Sequence, residues 1–90
     1  MAEIIASIKI FPSEANTDLN KLKEKITQSL PSYASIYKFE EEPIAFGLVV
    51  IIAHITMPEE EGRIEEVEKN LTSIDEVSEI QAISVSRVSM

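Results

Sequence analysis

The chain has 90 residues, of which 44% are hydrophobic, and its net charge is −8. This is enough apolar material for a single folded domain over residues 1–90. The absence of cysteine excludes disulfides, thiolate metal sites and thiol catalysis. An acidic chain is repelled by phosphate backbones, so we expect no direct binding to nucleic acid. The longest apolar run, Leu48 to Ala53, is too short to cross a bilayer. With no signal-peptide pattern at its start, we expect a cytoplasmic protein that binds no membrane.

The first third of the chain predicts a strand followed by a helix. Residues 3–11 are rich in isoleucine and alternate between two faces, as in a strand that ends at Pro12. Residues 18–30 carry apolar side chains at helical spacings of three and four. These are Leu19, Leu22, Ile26 and Leu30. Asn16 or Thr17 is the predicted N-cap of this helix.

Two further strands follow in the middle of the chain. Residues 33–40 predict a strand with its aromatic residues on one face. These are Tyr33, Tyr37 and Phe39. Residues 40–43, three glutamates and a proline, predict a polar break. Residues 48–55 are apolar on both faces, which indicates a central strand with one face covered and the other either covered or in contact with a partner.

The last third of the chain predicts a helix and a strand. The helical stripe consists of Ile64, Val67, Leu71 and Ile74. In the strand from Val77 to Val88 the alternation changes parity, which predicts a bulge near Glu79.

The element order is βαββαβ, which predicts the α+β ferredoxin-like sandwich: a four-stranded antiparallel sheet with two helices on one face. Six side chains should be buried between the sheet and the helices. They are Ile8, Ile10, Leu22, Ile26, Val67 and Leu71.

Few residues of the chain carry chemistry. His54 is the only histidine, and no partner residue at a suitable spacing makes it a metal ligand or a catalytic base. We interpret it as a strand histidine, either hydrogen-bonded or exposed. The acidic runs 40–42 and 59–61 lack the spacing of a calcium loop and are predicted to be solvated loops. We therefore expect no metal and no cofactor.

Two functions that use this fold are excluded by their residue requirements. An acylphosphatase needs an anion-binding cradle with an arginine after the first strand, and residues 11–15 have neither glycine nor arginine. An RNA-recognition domain needs aromatic and basic residues on the third strand, and residues 48–55 have neither.

The connection between the second and third strands has an unusual composition for a loop. It presents Ile44 and Phe46 beside Gly47. Two interpretations are open. Gly47 supplies a turn conformation while Phe46 folds over the core, or Phe46 is an aromatic contact for a protein partner.

This same segment, Glu-Glu-Pro-Ile-Ala-Phe-Gly-Leu at residues 41–48, resembles the signature of the elongation factor 1-beta exchange-domain family. Residues 6–12 resemble the family's opening strand, Asp18-Leu19 the start of its first helix, and residues 74–78 the turn before its last strand. The resemblance covers essentially the whole chain. The free-standing archaeal members of the family have about the same length as this chain.

The resemblance implies a function for which the chain needs no catalytic site of its own. Members bind the GTPase elongation factor 1-alpha and promote exchange of its GDP for GTP by disturbing the nucleotide and magnesium site. The match makes Phe46 the contact with the GTPase, with Pro43 and Gly47 shaping the loop.

The C-terminal tail departs from the pattern. Eukaryotic members place a lysine next to their C-terminus, whereas this chain has Arg87 near its last residue, Met90. Arg87 and Met90 are both predicted to bind the partner. A second interpretation of Arg87, as an ordinary charged residue at the end of a strand, is also open.

The alternative function is a small-ligand-binding regulatory domain of the amino-acid-sensing, ferredoxin-like type. Such domains share the element order and often carry a hydrophobic-acidic-x-valine pattern, as in residues 74–77. They usually also have glycines after the first strand, and residues 11–17 contain none.

Overall fold

The computed structural model describes residues 3–44 and 47–87. The elements in chain order are β1 Glu3–Pro12, α1 Leu19–Ser29, β2 Ser35–Pro43, β3 Val49–Pro58, α2 Arg63–Thr72 and β4 Val77–Arg87. The strands form one antiparallel sheet in the order β2-β3-β1-β4. The predicted ferredoxin-like α+β fold is therefore confirmed, with β2 and β4 at the two edges of the sheet.

The core lies between one face of the sheet and the two helices. Alternate residues of the central strands β1 and β3 point into it, because side chains along a strand alternate between faces. All six side chains predicted to be buried belong to this core and are at most 1% exposed. Apolar burial of this kind is the main favourable term in folding.

The N-cap of helix α1 lies one or two residues later than the predicted caps. Asp18, rather than Asn16 or Thr17, is the N-cap. Its Oδ1 accepts hydrogen bonds from the backbone N–H groups of Asn20 and Lys21 at 3.1 and 3.2 Å. The carboxylate thus satisfies two N–H groups that have no partner within the helix.

Strand β2 differs from its prediction in two ways. Glu40, Glu41 and Glu42 are strand residues that pair with β3, not a break. Ladder hydrogen bonds use only the backbone, and charged side chains are common on edge strands. The register with β3 also shifts at Tyr37, which is 63% exposed. The prediction that Tyr37 shares the face of Phe39 was wrong, because the irregularity changes the parity of the strand.

Strand β4 is irregular at two points. Its register with β1 skips one residue beside Glu79 and another at Ile83. The predicted bulge near Glu79 is confirmed, whereas the one at Ile83 was not predicted. Beyond Ile80 the strand is exposed, and Ile83 and Val85 are 50% and 49% accessible.

Candidate functional site

The connection from β2 to β3 leaves the sheet at one end. Pro43 pairs with Val49, and the Ile44 N–H donates to the Leu48 carbonyl at 2.8 Å. Gly47 has φ +74°, and no atom lies within 4 Å of where a Cβ would stand. Glycine is therefore favoured here by backbone conformation rather than by lack of space. Ile44 is 37% exposed, so this end of the sheet presents apolar surface to solvent.

Two of the five residues predicted to bind a partner, Phe46 and Met90, lie outside the described residues. Their contact roles remain predictions from the sequence.

Arg87 lies at the opposite end of the sheet from Pro43 and Gly47. It pairs with Ile4, and its guanidinium donates to both carboxylate oxygens of Glu59 at 2.9 and 3.0 Å. These bonds raise the pKa of Arg87 above its ordinary value. Eight residues of β3 separate the register positions of Pro43 and Arg87, or about 26 Å along an extended strand. The structure therefore brings Pro43 and Gly47 together and places Arg87 apart from them.

A chain of hydrogen bonds crosses three strands on the sheet face away from the helices. Ser7 Oγ lies 2.8 Å from Nδ1 of His54, and Nε2 of His54 lies 2.5 Å from Oε1 of Glu40. Because a carboxylate only accepts, Nε2 of His54 is the donor in its bond to Glu40. The bond from His54, assisted by the charge of Lys38, lowers the pKa of Glu40.

This serine–histidine–glutamate arrangement differs from a hydrolytic site in its surroundings. Ser7 is only 7% exposed, and it pairs with His54 on one side and Ser84 on the other. Backbone N–H groups within such a ladder are engaged with neighbouring strands and do not form an oxyanion hole. The arrangement therefore fits strand-to-strand hydrogen bonding. Sequence reasoning did not find it, since its members lie 14 and 47 residues apart along the chain.

An ion pair and a buried apolar residue lie on the same face of the sheet. Lys9 Nζ lies 3.0 Å from Oε1 of Glu42, so the pair extends from β1 over β3 to β2. Val50 is fully buried although its register position places it on the face without helices. The apolar stems of long charged side chains can cover such a residue. The chain's own charged side chains thus lie beside Val50 on the face that the helices leave open.

Both acidic runs contain carboxylates that form ion pairs while remaining exposed. Glu41 binds Lys23 of α1 at 2.6 Å, and Glu60 binds Arg63. The run 59–61 lies in the exposed loop between β3 and α2, as predicted, whereas the run 40–42 belongs to strand β2 and corrects the prediction of a loop there. Arg63 is only three residues from Glu60, whereas the partners of Glu40, Glu41, Glu42 and Glu59 come from distant parts of the chain, where sequence spacing does not reveal them.

Within residues 3–44 and 47–87, no group of three or more histidine, cysteine, aspartate or glutamate side chains is arranged to hold a metal ion. In the same part of the chain, no helix has the length and apolar character to span a bilayer.

The fold defines a small α+β domain whose β2–β3 connection is exposed at Ile44 and Gly47. Residues 5–88 match the family of EF-1 guanine nucleotide exchange domains. The chain belongs to this family, and its function is guanine nucleotide exchange in translation elongation.

Full-length relatives agree with this assignment. The chain is 36% identical over 88 residues to elongation factor 1-beta of Methanothermobacter thermautotrophicus, covering 98% of this chain and 99% of that protein. It is 39% identical to the Staphylothermus marinus protein of the same name, with 98% and 99% coverage, and 41% identical to that of Methanocaldococcus jannaschii, with 96% and 98% coverage. The ligand-binding alternative is not favoured.

The fold is also similar to a solved structure of low sequence identity. The C-terminal domain of the MgtC protein from Mycobacterium tuberculosis superposes with a TM-score of 0.59 at 14% identity, covering 91% of this chain and 86% of that one. At this identity the likeness concerns the fold alone.

Proposed function

We propose that this chain, acting as one exchange domain over residues 1–90, binds the GTPase elongation factor 1-alpha and accelerates release of its GDP. Membership of the exchange-domain family is the observation that carries the proposal. The chain acts through protein–protein contact, with no catalytic group of its own. Because its partner is a translation factor, its place of action is the cytoplasm.

The physical basis of exchange is a coupling between two binding equilibria. A partner that binds the nucleotide-free GTPase more tightly than the GDP-bound form must weaken GDP binding by the same factor. Contacts that disturb the nucleotide and magnesium site supply this difference. No covalent step by the chain is required.

The loop between β2 and β3 is the proposed contact region. Its described flanks support this role, since Pro43 and Ile44 are exposed at the end of the sheet and Gly47 permits a tight left-handed turn. Aromatic residues at such positions often carry much of an interface's binding energy. Phe46 is the proposed principal contact, with Pro43 and Gly47 setting the path of the loop.

The C-terminal end is proposed as a second contact region. Arg87 would reach the GTPase about 26 Å of strand away from Pro43, and Met90 is a further proposed contact of this tail. A single partner touching both ends would therefore span the length of the sheet. In this arrangement Arg87 exchanges its bond to Glu59 for ligands of the GTPase, because one guanidinium cannot fully serve both.

Substituting Phe46 tests the loop contact. We expect Phe46→Ala to reduce stimulation of GDP release by at least roughly tenfold, equivalent to about 1.4 kcal/mol of lost contact energy, with an unchanged melting temperature. Tyr37→Ala is the matched control, because Tyr37 is an aromatic residue of β2 that is 63% exposed and outside the loop. A core role for Phe46 would instead lower stability by about 3–5 kcal/mol and leave exchange normal in the folded fraction. That result would exclude the loop contact.

A further inference from the structure

Strand β2 has less backbone support than the strand it leads to. It is an edge strand and pairs only with β3. Its last residue, Pro43, has no N–H to donate to the ladder. The position of the loop flanks therefore depends on whatever else holds the end of β2.

Three successive glutamates supply side-chain contacts just before that end. Glu40 contacts His54 of β3 at 2.5 Å, Glu41 contacts Lys23 of α1 at 2.6 Å, and Glu42 contacts Lys9 of β1 at 3.0 Å. Three different elements thus hold three consecutive residues of an edge strand.

The contacts act from both faces of the sheet. Glu41 is in register with Ile51, a fully buried residue on the helix-covered face, whereas Glu40 and Glu42 are in register with Ile52 and Val50 on the other face. A strand held from both faces resists both tilting and twisting, whereas a contact on one face would resist motion in one direction only.

The two lysines are well placed for this role. The side chains of Lys9 and Lys23 are only 27% and 25% exposed, so they are less screened than ordinary surface lysines. Lys23 also lies over the ring of Phe39, 5.8 Å from its centroid, within the range of a cation–π contact.

We infer that Lys9 and Lys23 are positioning residues for the loop that binds the GTPase, acting through Glu42 and Glu41. The inference rests on the proposed function and extends it to residues that touch no partner. The acidic run serves to orient the end of β2 and, with it, Pro43 and Gly47. It does not serve mainly to attract a basic partner surface, because cations of the same chain already neutralise Glu41 and Glu42.

Single substitutions of Lys9 and of Glu42 distinguish positioning of the loop from electrostatic attraction of the partner. Positioning predicts that Lys9→Gln and Glu42→Gln change exchange in the same direction. Each should raise the concentration for half-maximal stimulation of GDP release by about two- to fivefold, the range of a partly exposed ion pair, without changing the maximal rate. Long-range attraction predicts opposite effects, since Lys9→Gln makes the chain more acidic and Glu42→Gln makes it less so.

A charge swap and a matched control complete the experiment. Lys9→Glu combined with Glu42→Lys should return the half-maximal concentration to within about twofold of the unsubstituted chain, as expected for an isolated pair. Glu60→Gln is the control, because its side chain is 48% exposed against 47% for Glu42 and it breaks an ion pair outside β2. Opposite signs for the two single variants, or an unchanged half-maximal concentration in both, would overturn the inference.

A second measurement does not depend on the GTPase. The Ile44 N–H, bonded to the Leu48 carbonyl, should exchange with deuterium faster in Lys9→Gln and Glu42→Gln than in Glu60→Gln, because opening of the strand end exposes it. If the unsubstituted chain fails to stimulate GDP release, the proposed function fails even if this amide responds. If GDP release is stimulated normally and the amide does not respond, only the positioning role fails.

Discussion

His54 shows how the role of a single side chain depends on the strands beside its own. Along the chain it has no partner of catalytic type nearby, and it was interpreted as an ordinary strand histidine. The sheet places Ser7 against one ring nitrogen and Glu40 against the other. Both nitrogens are therefore satisfied, and one side chain joins three strands across a face that no helix covers.

The lowered pKa of Glu40 makes this contact sensitive to acid. A carboxyl whose pKa is lower in the folded than in the unfolded chain stabilises the fold at pH values above its ordinary pKa, which is 4.5 for Glu40. This contribution is lost as the pH falls through the pKa of the folded state. We expect Glu40→Gln to lower the melting temperature near neutral pH, and the difference from the unsubstituted chain to shrink as the pH falls below 4.5. Glu65→Gln, on the exposed side of α2, is the control. A difference that is independent of pH would contradict this account.

At the scale of the elements, the two helices provide one wall of the core. Val67 and Leu71 of α2 and Leu22 and Ile26 of α1 are at most 1% exposed. They occur at spacings of four within each helix, which places each pair on one side of the helix. Packing of these stripes against the isoleucines of β1 and β3 provides most of the apolar burial.

Truncating one of these side chains should be costly. We expect Leu71→Ala to lower the free energy of unfolding by about 2–5 kcal/mol, the range for a buried leucine replaced without collapse of the cavity. Val85→Ala, at a β4 position that is 49% exposed, should cost less than about 1 kcal/mol. Urea denaturation of both variants measures the difference. Equal destabilisation by the two substitutions would mean that α2 does not pack as described.

The elements also show what the sequence could predict and what it could not. Helical and strand periodicities are local, so the element order and the six core residues were predicted correctly. Cross-strand contacts depend on register, and the irregularities at Tyr37 and Ile83 shift it by one residue. The end of β2 was predicted as a polar break because of its three glutamates and proline, and the lysine partners of these glutamates were not foreseen because they belong to other elements. The same limit applies to the bond between Arg87 and Glu59, which lie 28 residues apart.

At the scale of the whole molecule, the predicted contact residues define two ends rather than one pocket. The fold is elongated, with principal extents of 42 × 22 × 18 Å. Pro43 and Gly47 lie at one end of the sheet and Arg87 at the other. A chain of this shape can contact two separated parts of a larger partner at once.

Release of labelled GDP from elongation factor 1-alpha tests the central claim most directly. Substoichiometric amounts of the chain should accelerate release by roughly tenfold or more, a coupling of ordinary size between two sites, and the rate should rise in proportion to the chain added. Excess unlabelled nucleotide prevents rebinding, and the chain must turn over among many GTPase molecules. If release is unchanged at micromolar concentrations of folded chain, while a single metabolite such as an amino acid raises its melting temperature, the exchange function is wrong and the ligand-binding alternative is correct.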